Sequence, residues 1–289
     1  MFHQIAVVGC GLIGGSVALA LREAWPACRL IAIDRAPVVE AARRLGVVDD
    51  GGEDLALASG AELIVLAAPV RQNIALLQEL VTRVQGSAVV HDVGSTKRAI
   101  VDAARALPQR LRFVGGHPLA GAATDGVEAA RADLFRGRPW ILTPSPECDP
   151  ADIDRVTSLA SAVGALPRTM DPVAHDRLMA YLSHLPQLAV SALMQVVGER
   201  TGSEGLSLAG TGLRDTTRLA SSPSGTWRDV TATNPEALGV AIDELTAALQ
   251  RLKADLAVGD DLQRIFDDAA KWKRTLDESG TGGRGRGES

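Results

Sequence analysis

The sequence predicts an α/β fold in which a doubly wound parallel sheet is followed by an all-helical C-terminal domain. Two observations predict this class. Up to about residue 170, short apolar runs rich in β-branched residues alternate with helical stretches, which is typical of a parallel sheet covered on both faces by helices. Beyond residue 170 the strand patterns fade and long helical stretches dominate, so we expect a separate helical domain there.

The individual elements follow from apolar periodicity along the chain. Strands are predicted at residues 5–8, 30–33, 63–67 and 88–90, with further candidates at 113–114, 140–142 and 165–166. Helices are predicted at residues 12–24, 38–45, 74–84, 97–107, 173–198, 235–258 and 261–274. We place the domains at residues 1–170 and 171–277. Residues 278–289 are rich in Gly, Ser and charged residues, so we expect a disordered tail there.

The composition excludes several classes of function. The 289 residues are 46% hydrophobic and 22% charged, with a net charge of −5, so the chain lacks the positive field that nucleic-acid binding needs. The uncharged stretches at residues 5–21 and 178–198 contain Gly, or His, Pro and Gln. We therefore interpret both as buried segments and expect no membrane association. The cysteines form no spaced cluster, which argues against disulfides and a metal site and favours the cytoplasm: Cys10, Cys28 and Cys148.

A glycine-rich turn joins the first predicted strand to the first predicted helix. Its sequence is Gly9-Cys-Gly11-Leu12-Ile13-Gly14. Gly9 permits the tight turn, Gly11 lets the backbone approach a pyrophosphate, and Gly14 lets the helix pack closely on the strand. Because a helix N-terminus also offers free N–H groups to phosphates, the turn predicts a dinucleotide site in which Leu12 and Ile13 take part.

The end of the second strand predicts which dinucleotide binds. Asp34 stands 20 positions after Gly14, which is the spacing of a carboxylate that binds the adenosine ribose hydroxyls. Its charge repels a 2′-phosphate, so NAD is favoured over NADP, although the adjacent Arg35 softens that repulsion. Pro69, which closes the third strand, is assigned to the same site. We therefore interpret residues 1–170 as a Rossmann-type NAD-binding domain.

Six short blocks of the sequence together resemble a known family. They are Gly-Cys-Gly-Leu-Ile-Gly-Gly-Ser at residues 9–16, Asp-Val-Gly-Ser-Thr-Lys at 92–97, Gly-Gly-His-Pro-Leu-Ala-Gly at 115–121, Ser-His-Leu-Pro at 183–186, Arg-Asp-Thr-Thr-Arg-Leu-Ala at 214–220 and Trp-Arg-Asp at 227–229. Over about residues 4–255, this set resembles the prephenate/arogenate (cyclohexadienyl) dehydrogenase family. The resemblance implies NAD-dependent oxidative decarboxylation of prephenate or arogenate in tyrosine biosynthesis. It also implies a homodimer formed through the helical dimerisation domain.

The resemblance also implies roles for individual residues. His117 is implied to be the catalytic base or hydrogen-bond acceptor for the substrate hydroxyl, a role that suits imidazole because its ordinary pKa lies near working pH. Ser95 is implied to contact that hydroxyl and the nicotinamide. Arg218 is implied to bind the ring carboxylate, because guanidinium matches a carboxylate bidentately. Asp215 then orients Arg218, and Arg214 supplies a second positive group.

Three further residues border the substrate by the same resemblance. His184 and Gln187 are implied to contact it, and Trp227 to form a wall of the pocket. Gln187 stands where many prephenate-using members carry a histidine. Its neutral amide both donates and accepts hydrogen bonds, so the choice between prephenate and arogenate stays open. No partner pattern or role is assigned to the remaining candidates, His3, His91, His175 and Lys97.

Three alternatives remain open at this point. A β-hydroxyacid-type dehydrogenase pairs a similar nucleotide domain with helices but depends on a catalytic lysine, and the helical half offers only Lys253, Lys271 and Lys273, all near its C-terminal end. A family member that acts on 4-amino-4-deoxyprephenate in secondary metabolism would share the same motifs. An NAD-binding regulator that kept the fold would not need the implied catalytic and carboxylate-binding residues together.

Overall fold

An eight-stranded sheet forms the centre of the computed structural model, which describes residues 1–122 and 124–281. The strands are β1 (Gln4–Val8), β2 (Arg29–Ile33), β3 (Asp50–Gly52), β4 (Leu63–Leu66), β5 (Ala88–Asp92), β6 (Leu111–Pro118), β7 (Pro139–Thr143) and β8 (Leu166–Thr169). Their order is β3-β2-β1-β4-β5-β6-β7-β8. The predicted parallel sheet is confirmed with one difference, because β6 and β7 pair antiparallel.

Helices connect the strands and fill the second half of the chain, as predicted. They are α1 (Leu12–Ala24), α2 (Ala36–Arg44), α3 (Val70–Arg83), α4 (Arg98–Ala104), α5 (Pro150–Ala162), α6 (Pro172–Met179), α7 (Leu185–Ser207), α8 (Thr211–Thr216), α9 (Ser224–Thr233), α10 (Pro235–Ala254) and α11 (Asp260–Thr281). The single helix predicted at residues 173–198 is in fact α6 and α7 joined by a π-helical turn, Ala180–His184. Such turns are rare in proteins, and those that occur often lie at functional sites.

The core lies on both faces of the sheet. Side chains alternate along a strand, so Ile5 and Val7 pack into one apolar cluster with residues of α1 and α5. Ala6 and Val8 of the same strand pack into the opposite cluster with residues of α3 and α4. This two-sided burial explains why the central strands are continuously apolar in sequence.

The chain divides by its contacts into two compact units, Met1–Leu238 and Gly239–Ser289. The first unit continues past the predicted boundary at residue 170, because α6 contacts α4 and α9 contacts α3. The division at residue 170 therefore stays a prediction about sequence domains. Of the predicted tail at residues 278–289, α11 includes the part up to Thr281, and residues 282–289 lie outside the described residues. No helix in the described ranges is long and apolar enough to span a membrane.

The strand order creates one crevice at the edge of the sheet. β1 lies between β2 and β4, so the connections after β1 and β4 leave toward opposite sides. In open α/β sheets, ligands bind outside the carboxyl ends of the strands at this reversal point. The loops that follow β1, β4 and β5 meet there, and they contain Gly11, Pro69 and Ser95.

Candidate active site

The glycine turn after β1 has the shape that a pyrophosphate needs. Gly9 has φ +90°, and a Cβ there would lie 2.6 Å from the backbone N of Ala68. A Cβ on Gly14 would lie 2.0 Å from the carbonyl O of Gly9, so both positions require glycine. In contrast, a Cβ on Gly11 would meet nothing within 4 Å. Gly11 therefore faces open space at the start of α1, where a dinucleotide phosphate would lie.

Two carboxylates occupy the start of the helix that follows β2. The Asp34 carboxylate accepts hydrogen bonds from the backbone N–H groups of Cys10 and Arg35, both at 2.7 Å. The Glu53 carboxylate accepts one from the backbone N–H of Ala36, also at 2.7 Å. The Arg35 side chain is 84% exposed, and its Nε lies 4.0 Å from Asp34. The region that would receive a 2′-phosphate is therefore occupied by negative charge.

A cleft of about 740 Å³ opens at the crevice. It is lined by the loops after β1, β4 and β5, by the end of β6, and by the segment from Arg218 to Asp229, which includes the start of α9. Eight of the predicted site residues line this cleft: Gly11, Leu12, Ile13, Pro69, Ser95, His117, Arg218 and Trp227. The structure thus brings together residues that are up to 216 positions apart, Gly11 and Trp227.

His117 lies near the end of β6 and is held by a second histidine. Its Nδ1 is 2.9 Å from Nε2 of His175, and Nδ1 of His175 is 2.8 Å from Oδ1 of Asp176. The absence of a partner pattern for His175 in the sequence was therefore misleading. Burial lowers the pKa of His117 well below its ordinary value, and the nearby His175, Lys97 and His184 lower it further. The imidazole is therefore neutral at pH 7.

A buried ion pair fixes the backbone just before His117. The fully buried Lys97 binds the Asp92 carboxylate and donates to the carbonyl of Gly116 at 2.6 Å. The Asp92 carboxylate also accepts from the backbone N–H of Gly116 at 3.2 Å and of Gly94 at 2.8 Å. Burial lowers the pKa of Lys97, while Asp92 opposes that shift. Both backbone groups of Gly116 are thus bound by the pair.

Arg218 begins a 3₁₀ turn, Arg218–Ser221, at the rim of the cleft. Its side chain is exposed. Among the described residues no ion pair joins it to Asp215 or to another carboxylate, and the orientation of Arg218 by Asp215 stays a prediction. Arg214 and Asp215 lie on α8, exposed and outside the cleft lining.

Two of the predicted substrate contacts lie behind the wall of the cleft. His184 is buried at the end of the π-helical turn, 3.5 Å from Nδ2 of Asn234, and its ring meets Trp227 edge-on at 6.3 Å. Burial lowers its pKa to about 4. The amide of Gln187 is also buried and holds the Arg218 segment: it donates to the Leu219 carbonyl at 2.8 Å and accepts from Ser222 at 3.2 Å. Both side chains support lining residues, and neither lines the cleft itself.

Two models of one protein family match the chain. The model for the prephenate dehydrogenase nucleotide-binding domain matches residues 17–167, and the model for the prephenate dehydrogenase dimerization domain matches residues 171–268. The first match alone covers more than half of the chain. The chain belongs to the prephenate dehydrogenase family.

Individual relatives agree with this membership. Prephenate dehydrogenase of Bacillus subtilis (strain 168) is 34% identical over 287 residues, which cover 96% of this chain and 76% of that protein. The crystal structure of prephenate dehydrogenase from Aquifex aeolicus, in complex with hydroxyphenyl propionate and NAD⁺, superposes with a TM-score of 0.88 at 29% identity and covers 96% of this chain and 99% of the other. Synechocystis arogenate dehydrogenase gives a TM-score of 0.81 at 30% identity and covers 94% and 99%. The chain is thus a dehydrogenase of this family and not a β-hydroxyacid-type enzyme.

The sequence prediction missed several residues that support the lining of the cleft. On α6, His175 contacts His117 and Asp176 contacts His175. The Asp229 carboxylate accepts from the backbone N–H of Arg71 at 3.1 Å at the start of α3. One signal was present for the first pair: an adjacent His-Asp follows the helix start at Asp171-Pro172. Asp229 stands in the Trp-Arg-Asp block at residues 227–229, but no signal pointed to its partner, which is a backbone group 158 positions away.

Within residues 1–122 and 124–281, no group of three or more His, Cys, Asp and Glu side chains is arranged to hold a metal ion.

Proposed function

We propose that the chain catalyses the NAD-dependent oxidative decarboxylation of prephenate to 4-hydroxyphenylpyruvate, or of arogenate to tyrosine, in tyrosine biosynthesis. The observation that supports this most strongly is the cleft that joins the glycine turn, Ser95, His117 and Arg218. The printed activities and the bound NAD⁺ of the relatives agree with it. The alternative 4-amino-4-deoxyprephenate substrate would use the same cleft and is separated only by the assay.

NAD fits the nucleotide half of the cleft. Space for a phosphate lies against Gly11, and the α1 N-terminus has no side-chain cap that would block its N–H groups. Asp34 stands at the end of β2, where a ribose hydroxyl would be bound, and its charge disfavours a 2′-phosphate. When bound, NAD supplies the acceptor for the hydride that leaves the ring carbon bearing the 4-hydroxyl.

The chain's own residues then handle the proton and the carboxylates. Nδ1 of His117 is bonded to His175, so Nε2 is the nitrogen left to accept the 4-hydroxyl proton as the hydride leaves. Ser95, at the β5–α4 loop, is positioned to bind the same hydroxyl. The guanidinium of Arg218, which forms no ion pair within residues 1–122 and 124–281, binds the ring carboxylate. This group leaves as carbon dioxide when the ring becomes aromatic. Leu219 and Trp227 contribute apolar walls that exclude water.

We further propose that the enzyme is a cytoplasmic homodimer that pairs through its helical half. The match of residues 171–268 to a dimerization domain supports the homodimer. The three cysteines are free thiols, which supports a reducing compartment.

One assay tests the proposed reaction. NADH formation is followed at 340 nm with prephenate and with arogenate side by side, using NAD and NADP. We expect turnover of at least one substrate with NAD, and Arg218→Ala should raise its KM by about 30-fold or more, since a charged hydrogen-bonding partner is lost. Arg83→Ala, an exposed arginine at the end of α3 outside the cleft, should leave KM within about twofold. Folded protein that oxidises neither substrate would overturn the proposal.

A further inference from the structure

Three side chains form a hydrogen-bonded chain that ends in the cleft. His117 lines the cleft, and its Nδ1 is 2.9 Å from Nε2 of His175. Nδ1 of His175 is 2.8 Å from Oδ1 of Asp176. His175 and Asp176 are both buried and both lie on α6, whereas His117 lies on β6. The function proposed above assigns a role only to the first of the three.

The carboxylate at the far end of this chain acts as an acceptor. Oδ1 of Asp176 accepts from the backbone N–H of Lys97 at 2.7 Å, and Oδ2 accepts from that of Arg98 at 2.9 Å. Both donors lie at the start of α4, where backbone N–H groups carry partial positive charge. The backbone carbonyl of the same residue is bound by the Asn234 side chain at 2.8 Å. Since each carboxylate oxygen already receives an N–H, the group facing it, Nδ1 of His175, must be a donor.

The donor role of His175 Nδ1 determines which ring nitrogen carries the proton in both histidines. A neutral imidazole carries one N–H, so His175 with a proton on Nδ1 presents a lone pair at Nε2. His117 must then donate from its own Nδ1, which leaves the lone pair of its Nε2 free toward the cleft. We propose that His175 and Asp176 are positioning residues that hold His117 in the Nδ1–H tautomer and so set Nε2 as the acceptor for the substrate hydroxyl. The inference rests on the proposed function for its catalytic meaning but not for the tautomer itself.

The charges around His117 favour a neutral ring whose single proton is held in place by His175. From the β5–α4 side, Lys97 faces it together with the Asp92 carboxylate. From α6 and the π-helical turn it is faced by His175, Asp176 and His184. The remaining charged residues that share the cleft with it are Asp125, Arg218 and Asp229. Burial and the neighbouring cation keep the ring uncharged before reaction, so the orientation of its single proton decides whether it can act as a base.

The proton transfer balances without a proton on Asp176. The O–H bond of the substrate breaks, its proton bonds to Nε2 of His117, and its electron pair forms a carbonyl as the ring carbon gives up its hydride, for which bound NAD would be the acceptor. The bond to the ring carboxylate then breaks to release carbon dioxide, its electron pair makes the ring aromatic, and the carbonyl oxygen takes back the proton from Nε2 to become the phenol. The imidazolium formed between these steps keeps its Nδ1–H bond to His175. The Asp176 carboxylate stabilises that positive charge through His175, as in other carboxylate–histidine pairs.

The first test interrupts the hydrogen-bonded chain of His117, His175 and Asp176, here called the relay, and measures catalysis. His175→Phe keeps a planar ring but cannot accept from His117, and we expect kcat to fall by about 10²–10⁴-fold while the Kd for NAD stays within about twofold. His175→Gln restores an acceptor near the former Nε2 and should recover at least tenfold of the lost kcat. The acid limb of the kcat/KM profile should weaken in His175→Phe. A His175→Phe enzyme with kcat within threefold of wild type would overturn the proposal.

The second test observes the tautomer directly and needs no substrate. Nitrogen-15 NMR of histidine-labelled protein distinguishes Nδ1–H from Nε2–H imidazole. We expect Nδ1–H for His117 in the wild type and a loss of this single form in His175→Phe and in Asp176→Asn. The reference is His91, which donates from Nδ1 to the Val114 carbonyl at 2.7 Å and accepts from Trp140 at Nε2, and its signal should be unchanged.

The two tests separate the two proposals. An Nε2–H tautomer for His117 in the wild type would overturn the relay, whatever the activity. An Nδ1–H tautomer in a protein that oxidises neither prephenate nor arogenate would support the relay and reject the proposed reaction. If His175→Phe does not fold, His175→Gln and Asp176→Asn carry both the kinetic and the NMR comparison.

Discussion

Substitution of Lys97 by methionine removes one partner of the buried ion pair that binds the backbone next to His117. Lys97 and Asp92 are both fully buried, so the Asp92 carboxylate would lose its only cation within the described residues and keep two backbone N–H donors. Breaking a buried pair on one side costs about 3–5 kcal/mol. With about 2–4 °C of Tm per kcal/mol for chains of this size, we expect Lys97→Met to lower Tm by roughly 6–20 °C.

The assay is thermal unfolding by calorimetry together with steady-state kinetics. Asp92→Asn combined with Lys97→Met removes both charges, and we expect the double variant to melt at a higher temperature than Lys97→Met alone. Lys273→Met is the matched control, since Lys273 forms an exposed ion pair with Asp277 and should change Tm by less than about 3 °C.

Catalysis should fall along with stability. Lys97 also holds the Gly116 carbonyl at 2.6 Å, one residue before His117, so kcat should decrease at temperatures where the variant is still folded. A Tm within 2 °C of wild type for Lys97→Met would refute the reasoning. It would mean that water or a backbone shift satisfies Asp92 as well as the lysine does.

Two other perturbations address the cofactor and the response to acid. Glu53→Gln keeps an acceptor for the Ala36 N–H but removes a charge. Together with Asp34→Ser it should tighten NADP binding by roughly tenfold, measured by fluorescence titration. Wild-type protein that uses NADP and NAD equally would contradict this prediction. His91 and His184 have pKa values near 4 because burial disfavours their charged forms. The unfolded chain therefore binds more protons below pH 6.5, and stability is complete above that pH and decreases as pH falls toward 4. At pH 5 each of these histidines should lower the free energy of unfolding by roughly 2 kcal/mol. Tm should therefore be clearly lower at pH 5 than at pH 7.5. An equal Tm at the two pH values would argue that these rings are hydrated.

The fold was predictable where the local pattern and the tertiary structure agree. Strands buried on both faces are recognisable as apolar runs, and the glycine turn specifies its own geometry. The short edge strand Asp50–Gly52 was not predicted, because its Asp-Gly-Gly sequence has no strand propensity and it is held by pairing with β2. The antiparallel pairing of β6 with β7 and the π-helical turn after α6 depend on long-range packing.

The site was predictable to the extent that its motifs carry their own chemistry. His117 and Arg218 both line the cleft, as the resemblance led us to expect. His175 was missed because its partner is 58 positions away and on a strand. Gln187 was assigned to the substrate, and in the structure its amide donates to the Ser191 hydroxyl and the Leu219 carbonyl and accepts from the Ser222 hydroxyl. A sequence motif shows that a residue matters at a site but does not show whether it touches the ligand or the element that does.

The helices α3 and α4 both begin at the cleft, and both are capped from outside the sheet. Asp229 of α9 binds the Arg71 N–H of α3, and Asp176 of α6 binds the Lys97 and Arg98 N–H groups of α4. The donors to these carboxylates are backbone N–H groups, which every residue except proline supplies. These contacts therefore do not depend on which side chains stand at the starts of α3 and α4. Each contact would be lost if its aspartate, Asp229 or Asp176, were replaced. For these two contacts, a chimaera that places α6–α9 on a different nucleotide-binding domain should need two free helix starts at the right spacing, with any residue except proline at the donor positions.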